Sequence, residues 1–199
     1  MWLAFNKKKI IPKFTNFYEV VSFDATSFFT SINVSRVVDY IIGKIYENPD
    51  IFFGEDNLDN FPPQLILKEF MLGVLLKFSA FTTLNGFYRQ TEGLAMGSKL
   101  SPAISNIFLH MLETTTITEL LDQKILLFYS RYVDDCLLLV RKRAKNNILS
   151  KMNTFDSFLK FTVEEMQNDV LVYLDTKLLK MTINLNLCST VKLVTILHV

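Results

Sequence analysis

The stretch Ile-Leu-Leu-Phe-Tyr-Ser-Arg-Tyr-Val-Asp-Asp-Cys-Leu-Leu-Leu-Val, residues 125–140, contains two apolar segments separated by an acidic pair. Each segment has the composition of a central β-strand, and Val133, Asp134 and Asp135 favour a turn between them. The stretch is therefore predicted to be a β-hairpin. Because its two carboxylates would repel each other, a bound cation would stabilise them; an ordinary turn with solvated Asp side chains is the simpler alternative.

A second predicted strand delivers another carboxylate. Residues 17–23 are mostly apolar and β-branched, and the stretch ends at Asp24. This pattern indicates a buried strand with an acidic side chain at its end. Asp24 is therefore the natural third carboxylate beside Asp134 and Asp135.

Helices and short strands alternate along the rest of the chain. Asn33 or Ser35 can cap a helix, Ser101 can cap another that has a proline at its first position, and Asn85-Gly86 favours a two-residue hairpin turn. The other predicted elements are a polar loop over 48–63, helices over 64–77, 101–116 and 147–159, a hairpin over 82–90, and strands over 161–165 and 170–180. This order predicts an α+β fold with a largely antiparallel sheet.

The composition predicts an intracellular globular chain. Its 199 residues are enough for one core, half of them are hydrophobic and 18 are Phe. No apolar run is long enough to span a membrane, and the Cys and His residues show neither a disulfide framework nor zinc-ligand spacing. The net charge of +1 means that any basic surface is local. Lys7–Lys9 with Lys13 and 141–145 are candidates, although a solvated face explains either cluster equally well.

Four blocks of sequence resemble the motifs of reverse transcriptases, in particular those of Penelope-like retroelements. Phe23-Asp24-Ala25-Thr26-Ser27-Phe28-Phe29-Thr30-Ser31-Ile32 resembles the first catalytic motif. The second is matched by Tyr88-Arg89-Gln90 with 93–98 and 100–102, the third by 131–135, and the closing segment of the palm by 161–165 with 173–175. Four motifs in the family's order, over about 18–180, make a specific signal.

The resemblance implies a fold and a reaction. The fold is a right-hand polymerase palm, a ferredoxin-like antiparallel sheet backed by helices. The reaction is RNA-directed DNA synthesis, in which deoxynucleoside triphosphates extend a primer on an RNA or DNA template. Asp24, Asp134 and Asp135, with the Ala25 carbonyl, would hold two Mg²⁺ or Mn²⁺ ions, because nucleotide transfer requires a two-metal site with oxygen ligands.

The same resemblance assigns further roles. Nucleotide contacts fall to Phe29, Gln90 and Gly97, and primer or template contacts to Tyr132, Gly93 and Ser98. Phe29 would exclude a ribose 2′-hydroxyl, since a ring packed under C2′ leaves no room for an oxygen. The simpler alternatives are core packing for Phe29, a turn before a helix for 93–98, and a strand-face aromatic for Tyr132.

Departures from the family pattern favour a shortened polymerase. Lys99 replaces the usual proline, the fingers segment expected before Asp24 is not recognisable, and no thumb follows. The predicted organisation is an N-terminal remnant over 1–16, a palm over 17–180 and a divergent tail over 181–199. The alternative is a catalytically silent remnant that at most binds nucleic acid or a partner. A viral RNA-templated RNA polymerase is a weaker third hypothesis, which Phe29 disfavours.

Overall fold

The structure is a computed structural model that describes residues 17–53, 61–77, 80–185 and 188–197. The predicted N-terminal remnant, 1–16, lies outside the described residues. The strands are β1 (Tyr18–Thr26), β2 (Ala80–Thr83), β3 (Gly86–Arg89), β4 (Leu126–Tyr132), β5 (Asp135–Arg141), β6 (Lys160–Glu165), β7 (Val170–Tyr173), β8 (Thr176–Leu185) and β9 (Cys188–Leu197). The helices are α1 (Val34–Glu47), α2 (Pro49–Phe53), α3 (Gln64–Leu72), α4 (Ser101–Leu112), α5 (Thr118–Asp122) and α6 (Lys145–Thr154). The chain is thus a mixed α/β structure with antiparallel strand pairs, as the sequence predicts.

The chain divides into two compact units. Among the described residues, the first unit contains those up to 25, 117–151 and those from 161 onward, and the second contains those within 26–116 and 152–160. The first unit carries most of a four-stranded sheet with the order β4-β5-β1-β6, in which β5 runs antiparallel to both β1 and β4. A three-stranded sheet of β7, β8 and β9 belongs to the same unit.

Both faces of β5 are buried, which makes this strand the centre of the first unit. All five residues from Cys136 to Val140 are at most 6% exposed. On one face, Leu137 and Leu139 form a core cluster with Val20 from β1 and with three side chains of the β7–β8 hairpin, Leu171, Tyr173 and Leu178. The uninterrupted apolar run in the sequence is therefore explained by burial on both faces.

The second unit is built around α1. The side chain of Asn33 accepts a hydrogen bond from the Arg36 backbone N–H at 3.1 Å, so Asn33 rather than Ser35 caps the helix. The apolar face of α1 is buried, and the helix packs against α3 and α4. At its first turn, the Arg36 guanidinium donates to Asp156 at 2.9 Å and to the Phe155 carbonyl at 2.6 Å.

Several predicted boundaries are wrong. The β2–β3 turn consists of Leu84 and Asn85, one residue earlier than predicted, and Gly86 with φ 136° begins β3. Ser101 does not cap α4, because its hydroxyl donates to the Ala95 carbonyl at 2.6 Å. The predicted 170–180 strand is interrupted by a turn at Leu174, where φ is 52°.

The remaining differences concern helices. The predicted 48–63 loop contains the short helix α2, and α6 ends at Thr154 rather than near 159. The predicted 64–77 helix contains a π-helical turn at Gly73–Lys77. The predicted 101–116 helix passes through a π-helical turn at Glu113–Ile117 and continues directly into α5. Over the described ranges, no helix combines the length and apolar character needed to cross a membrane.

Candidate active site

The acidic pair lies on a tight hairpin between β4 and β5. Tyr132 pairs with Asp135, so only Val133 and Asp134 form the loop. Val133 has φ 55°, which is exceptional for a β-branched side chain and costs on the order of 1–3 kcal/mol. Such a conformation persists only where the surrounding structure holds it in place.

Three side chains contact the carbonyls of this loop in succession. Arg131 Nη1 donates to the Val133 carbonyl at 2.9 Å, and the Cys136 thiol lies 3.8 Å from the Asp134 carbonyl. The Tyr173 hydroxyl donates to the Asp135 carbonyl at 3.2 Å. Each carbonyl from 133 to 135 therefore has a side-chain partner, which accounts for the persistence of the strained turn.

Asp24 lies beside the acidic pair because of the register between β1 and β5. Phe23 is opposite Cys136, and the next step of the antiparallel register brings Asp24 opposite Asp135. Asp24 is exposed, although its neighbours Phe23 and Ala25 are 0% and 3% exposed. The prediction that the strand ends at Asp24 is wrong, because β1 continues to Thr26 and Asp24 lies within it.

The electrostatics of Asp135 reflect this arrangement. Partial burial raises the pKa of Asp135, and the nearby negative charges of Asp134, Asp24 and Glu164 raise it further. Glu164 lies on β6, the strand next to β1, where Thr162 donates to the Asp24 carbonyl at 3.5 Å. Sequence reasoning gave Glu164 no role; the alternation of apolar and polar residues over 161–164, which puts Glu164 on the same strand face as Thr162, was the available signal.

The donor set fits a hard cation by its chemistry. Asp24, Asp134 and Asp135 offer carboxylate oxygens, the ligand type that Mg²⁺ and Mn²⁺ prefer. Two residues before Asp24, the Ser22 hydroxyl is buried without a hydrogen-bond partner, and such groups occur next to bound water or ions. Among the residues that the structure describes, no three His, Cys, Asp or Glu side chains converge as a preformed metal site.

In the second unit, the segment of Phe29 meets the glycine-rich stretch. Phe29 is half-buried on a 3₁₀ turn, with its ring 5.3 Å from that of the buried Phe28. Its carbonyl accepts a hydrogen bond from Leu94 N–H at 2.8 Å. Gly93 has φ 71°, and a Cβ there would lie 2.4 Å from the Thr30 carbonyl oxygen. Only glycine fits this approach.

The other predicted contact residues of the second unit take part in local turns. The Gln90 amide donates to the Glu92 carbonyl at 2.8 Å, and the Ser98 hydroxyl accepts from Leu100 N–H at 3.3 Å. Gly97 is exposed with φ 94°. These bonds shape the turn before α4, so a structural role is visible for Gln90 and Ser98, and their nucleic-acid roles stay predictions.

The predicted site residues therefore form two groups. Asp24, Ala25, Tyr132, Asp134 and Asp135 belong to the first unit, and Phe29, Gln90, Gly93, Gly97 and Ser98 to the second. The structure brings the first group to one end of the four-stranded sheet, where Tyr132 is 50% exposed. Within the second group it joins the segments of Phe29 and Gly93.

Comparison with known families gives a match over residues 51–177, to the model described as reverse transcriptase (RNA-dependent DNA polymerase). This span contains the glycine-rich stretch, the acidic hairpin and Glu164, and begins after Asp24 and Phe29. No curated protein matches the chain.

Solved telomerase structures share the fold. Apo telomerase from Candida tropicalis has a TM-score of 0.56 at 14% identity, over 87% of this chain and 32% of the telomerase chain, or 35% in a form truncated from the C-terminal domain. Telomerase from Candida albicans, in complex with a fragment of telomeric RNA, has a TM-score of 0.59 at 16% identity, over 87% of this chain and 31% of its own. The present chain spans about a third of the length of these proteins.

Proposed function

Because the chain belongs to the reverse transcriptase (RNA-dependent DNA polymerase) family, we propose that it is the palm of an RNA-directed DNA polymerase. The order of the four-stranded sheet supports the palm. Counted along the chain, the strands of this sheet are β1, β4, β5 and β6, or strands 1 to 4. Across the sheet they follow the order 2-3-1-4, which is the order of a ferredoxin-like sheet. The reaction would extend a primer 3′-hydroxyl with deoxynucleotides on an RNA or DNA template.

The observation that carries the proposal is the pairing of Phe23 with Cys136, which brings the next residues, Asp24 and Asp135, side by side, with Asp134 in the adjoining loop. These three side chains, with the Ala25 carbonyl, would hold two Mg²⁺ or Mn²⁺ ions. When bound, the ions would neutralise charge on the phosphates and activate the attacking hydroxyl.

The protein's own contribution is position. The strained Val133 turn fixes where Asp134 lies, and the β1–β5 register fixes Asp24 relative to Asp135. Partial burial raises the pKa of Asp135 and the neighbouring carboxylates raise it further, so a cation bound beside them would offset an unfavourable negative charge. Positioning and charge stabilisation are the main sources of acceleration in such transfers.

The nucleotide and primer contacts follow the family resemblance. Phe29 would lie under the sugar and reject a 2′-hydroxyl, and Gln90 and Gly97 would adjoin the nucleotide. The exposed ring of Tyr132 would abut the primer end, and Gly93 and Ser98 would lie along primer or template. The finer affiliation that we propose is a Penelope-like retroelement, with the palm over 17–180 and a divergent tail over 181–199.

The test is primer extension by the full chain on an RNA template with Mg²⁺. The double variant Asp134→Asn, Asp135→Asn should lose at least about 10³-fold in rate, whereas Asp122→Asn, which removes an exposed carboxylate of the first unit, should retain wild-type activity. Activity that survives the double substitution would contradict the metal assignment.

A binding measurement separates an enzyme from a silent remnant. The wild-type chain should bind Mn²⁺ in the presence of a deoxynucleotide, and Asp24→Asn should lose this binding. If the wild-type chain neither extends a primer nor binds Mn²⁺, the silent remnant is the better explanation.

A further inference from the structure

We propose that Tyr173 is a positioning residue that fixes the acidic hairpin to the core of the first unit, an inference that rests on the proposed function for its catalytic consequence. Tyr173 comes from the β7–β8 hairpin, which is distant in sequence from the acidic pair. Its hydroxyl donates to the backbone carbonyl of Asp135, at the point where β5 leaves the loop. The contact is made to the backbone and leaves the carboxylate available for a ligand.

The phenol of Tyr173 is well fixed at its own end. The residue is 5% exposed and belongs to the core cluster with Leu137, Leu139 and Leu171. Its carbonyl also accepts a hydrogen bond from the Thr176 hydroxyl at 2.8 Å across the β7–β8 turn. The hydroxyl therefore donates from a packed position, which makes it suited to hold another element still.

The other two contacts of the loop differ from this one in origin. Arg131 and Cys136 lie on the acidic hairpin itself, so they move with it when it shifts. Tyr173 connects the loop to a separate hairpin. Because Val133 has a strained backbone conformation, a shift of the hairpin that relieved the strain would be favourable. A contact from a separate hairpin opposes that shift.

A purely structural role is the alternative. A buried tyrosine hydroxyl needs a hydrogen-bond partner, and the Asp135 carbonyl provides one. In that case, removal of the hydroxyl would lower stability without affecting the loop in particular.

The matched control is Tyr18, which packs partly buried against the same core cluster. Tyr18 pairs with Arg141 at the other end of the sheet. It lies six residues from Asp24, or about 20 Å along an extended strand. Tyr18→Phe removes a phenolic oxygen from a ring packed against the cluster, and Tyr173→Phe removes one from a ring within it. Only Tyr173→Phe removes a hydrogen bond to the acidic hairpin.

The first measurement is amide hydrogen exchange of the metal-free full chain. Tyr173→Phe should accelerate exchange of the amides of 133–136 by about 5- to 10-fold, relative to those of α1, and Tyr18→Phe should leave this ratio unchanged. Equal exchange in Tyr173→Phe and the wild type would overturn the inference. This measurement does not depend on catalysis, so it decides the inference even if the chain proves inactive and the proposed function fails.

The second measurement is steady-state primer extension. Tyr173→Phe should lower kcat by about 10- to 100-fold and raise the Mg²⁺ concentration needed for half-maximal rate, with KM for the deoxynucleotide within about twofold of the wild type. Tyr18→Phe should match the wild type in all three. An equal loss in both variants would show that general destabilisation is the cause and would overturn the positioning role.

Discussion

The backbone N–H of Leu94 donates to the carbonyl of Phe29 across 2.8 Å, and so joins two segments that are far apart in the sequence. Beside this bond, the absence of a side chain at Gly93 lets the backbone approach Thr30. The family resemblance assigns both Phe29 and Gly93 to the site. Substitutions at Gly93 and Phe29 therefore test the stability of this contact and the proposed nucleotide selection.

Substitution of Gly93 should be severely destabilising. In Gly93→Ala the new Cβ would lie 2.4 Å from the Thr30 carbonyl oxygen, at a φ of 71° that disfavours side chains. We expect the free energy of unfolding to fall by about 2–4 kcal/mol in denaturant titrations. Gly43→Ala in α1 is the control. No atom lies within 4 Å of the Cβ that this substitution adds, so the free energy of unfolding should rise by about 0.5–1 kcal/mol. Similar values for both variants would refute the close approach.

Substitution of Phe29 should relax sugar selection. Phe29→Val opens space beside the nucleotide, so the ratio of kcat/KM for deoxynucleotides over ribonucleotides should fall by about 10-fold or more. Phe28→Val is the control, because Phe28 is buried beside Phe29. That variant should lose stability and keep its selectivity. If Phe29→Val behaves in the same way, core packing is the better explanation for Phe29.

Neutralising Asp135 should stabilise the fold at neutral pH. Burial and the charges of Asp134, Asp24 and Glu164 raise the pKa of Asp135 in the folded chain, so the folded state binds a proton more tightly than the unfolded state. The associated stability is present in acid and is lost as pH rises through the raised pKa. Asp135→Asn avoids that loss, and we expect its Tm at pH 7 to be higher by roughly 1–3 °C. The gain should disappear below about pH 4; a gain that is constant with pH would exclude this cause.

Removal of the contact between α1 and the segment after α6 should lower the stability of the second unit. Asp156 is 6% exposed, and its carboxylate accepts from Arg36 and from Phe158 N–H. In Asp156→Ala both donors lose this partner, which should cost about 2–4 kcal/mol of the free energy of unfolding. Glu47→Gln removes an exposed ion pair with Lys44 and should not shift the denaturation midpoint measurably. An unchanged midpoint for Asp156→Ala would mean that the contact adds nothing.

The sequence predicted the elements whose determinants are local. The two apolar runs around Asp134 became β4 and β5, and Asn33 caps α1, because strand composition and a capping side chain act over a few residues. The prediction that Ser101 caps α4 was wrong, because its hydroxyl donates instead to the Ala95 carbonyl, six residues earlier. At Asn85-Gly86 the pairing of the strands set the turn one residue earlier than the dipeptide indicated.

The sequence named candidate site residues, whose roles stay predictions, but it did not give their geometry. Asp24 was predicted to join the acidic pair from its place at the end of an apolar segment and from its motif. That it lies next to Asp135 depends on β5 pairing directly with β1, which is a non-local choice. The contact of Tyr173 was not predictable for the same reason. The turn that follows Tyr173 requires a positive φ at Leu174, and leucine has no preference for that conformation from which the turn could be predicted.

The register between β1 and β5 also links the yield of correctly folded molecules to the integrity of the site. If β1 slipped by one residue against β5 so that Asp24 came opposite Cys136, Asp24 would take the buried position of Phe23, and the apolar side chains of β1 would leave the surfaces against which they pack. A mispaired molecule would thus take up a hydrophobic dye and lose a carboxylate in the same event. A protein preparation that does not bind such a dye therefore consists of molecules with the β1–β5 register on which the acidic site depends.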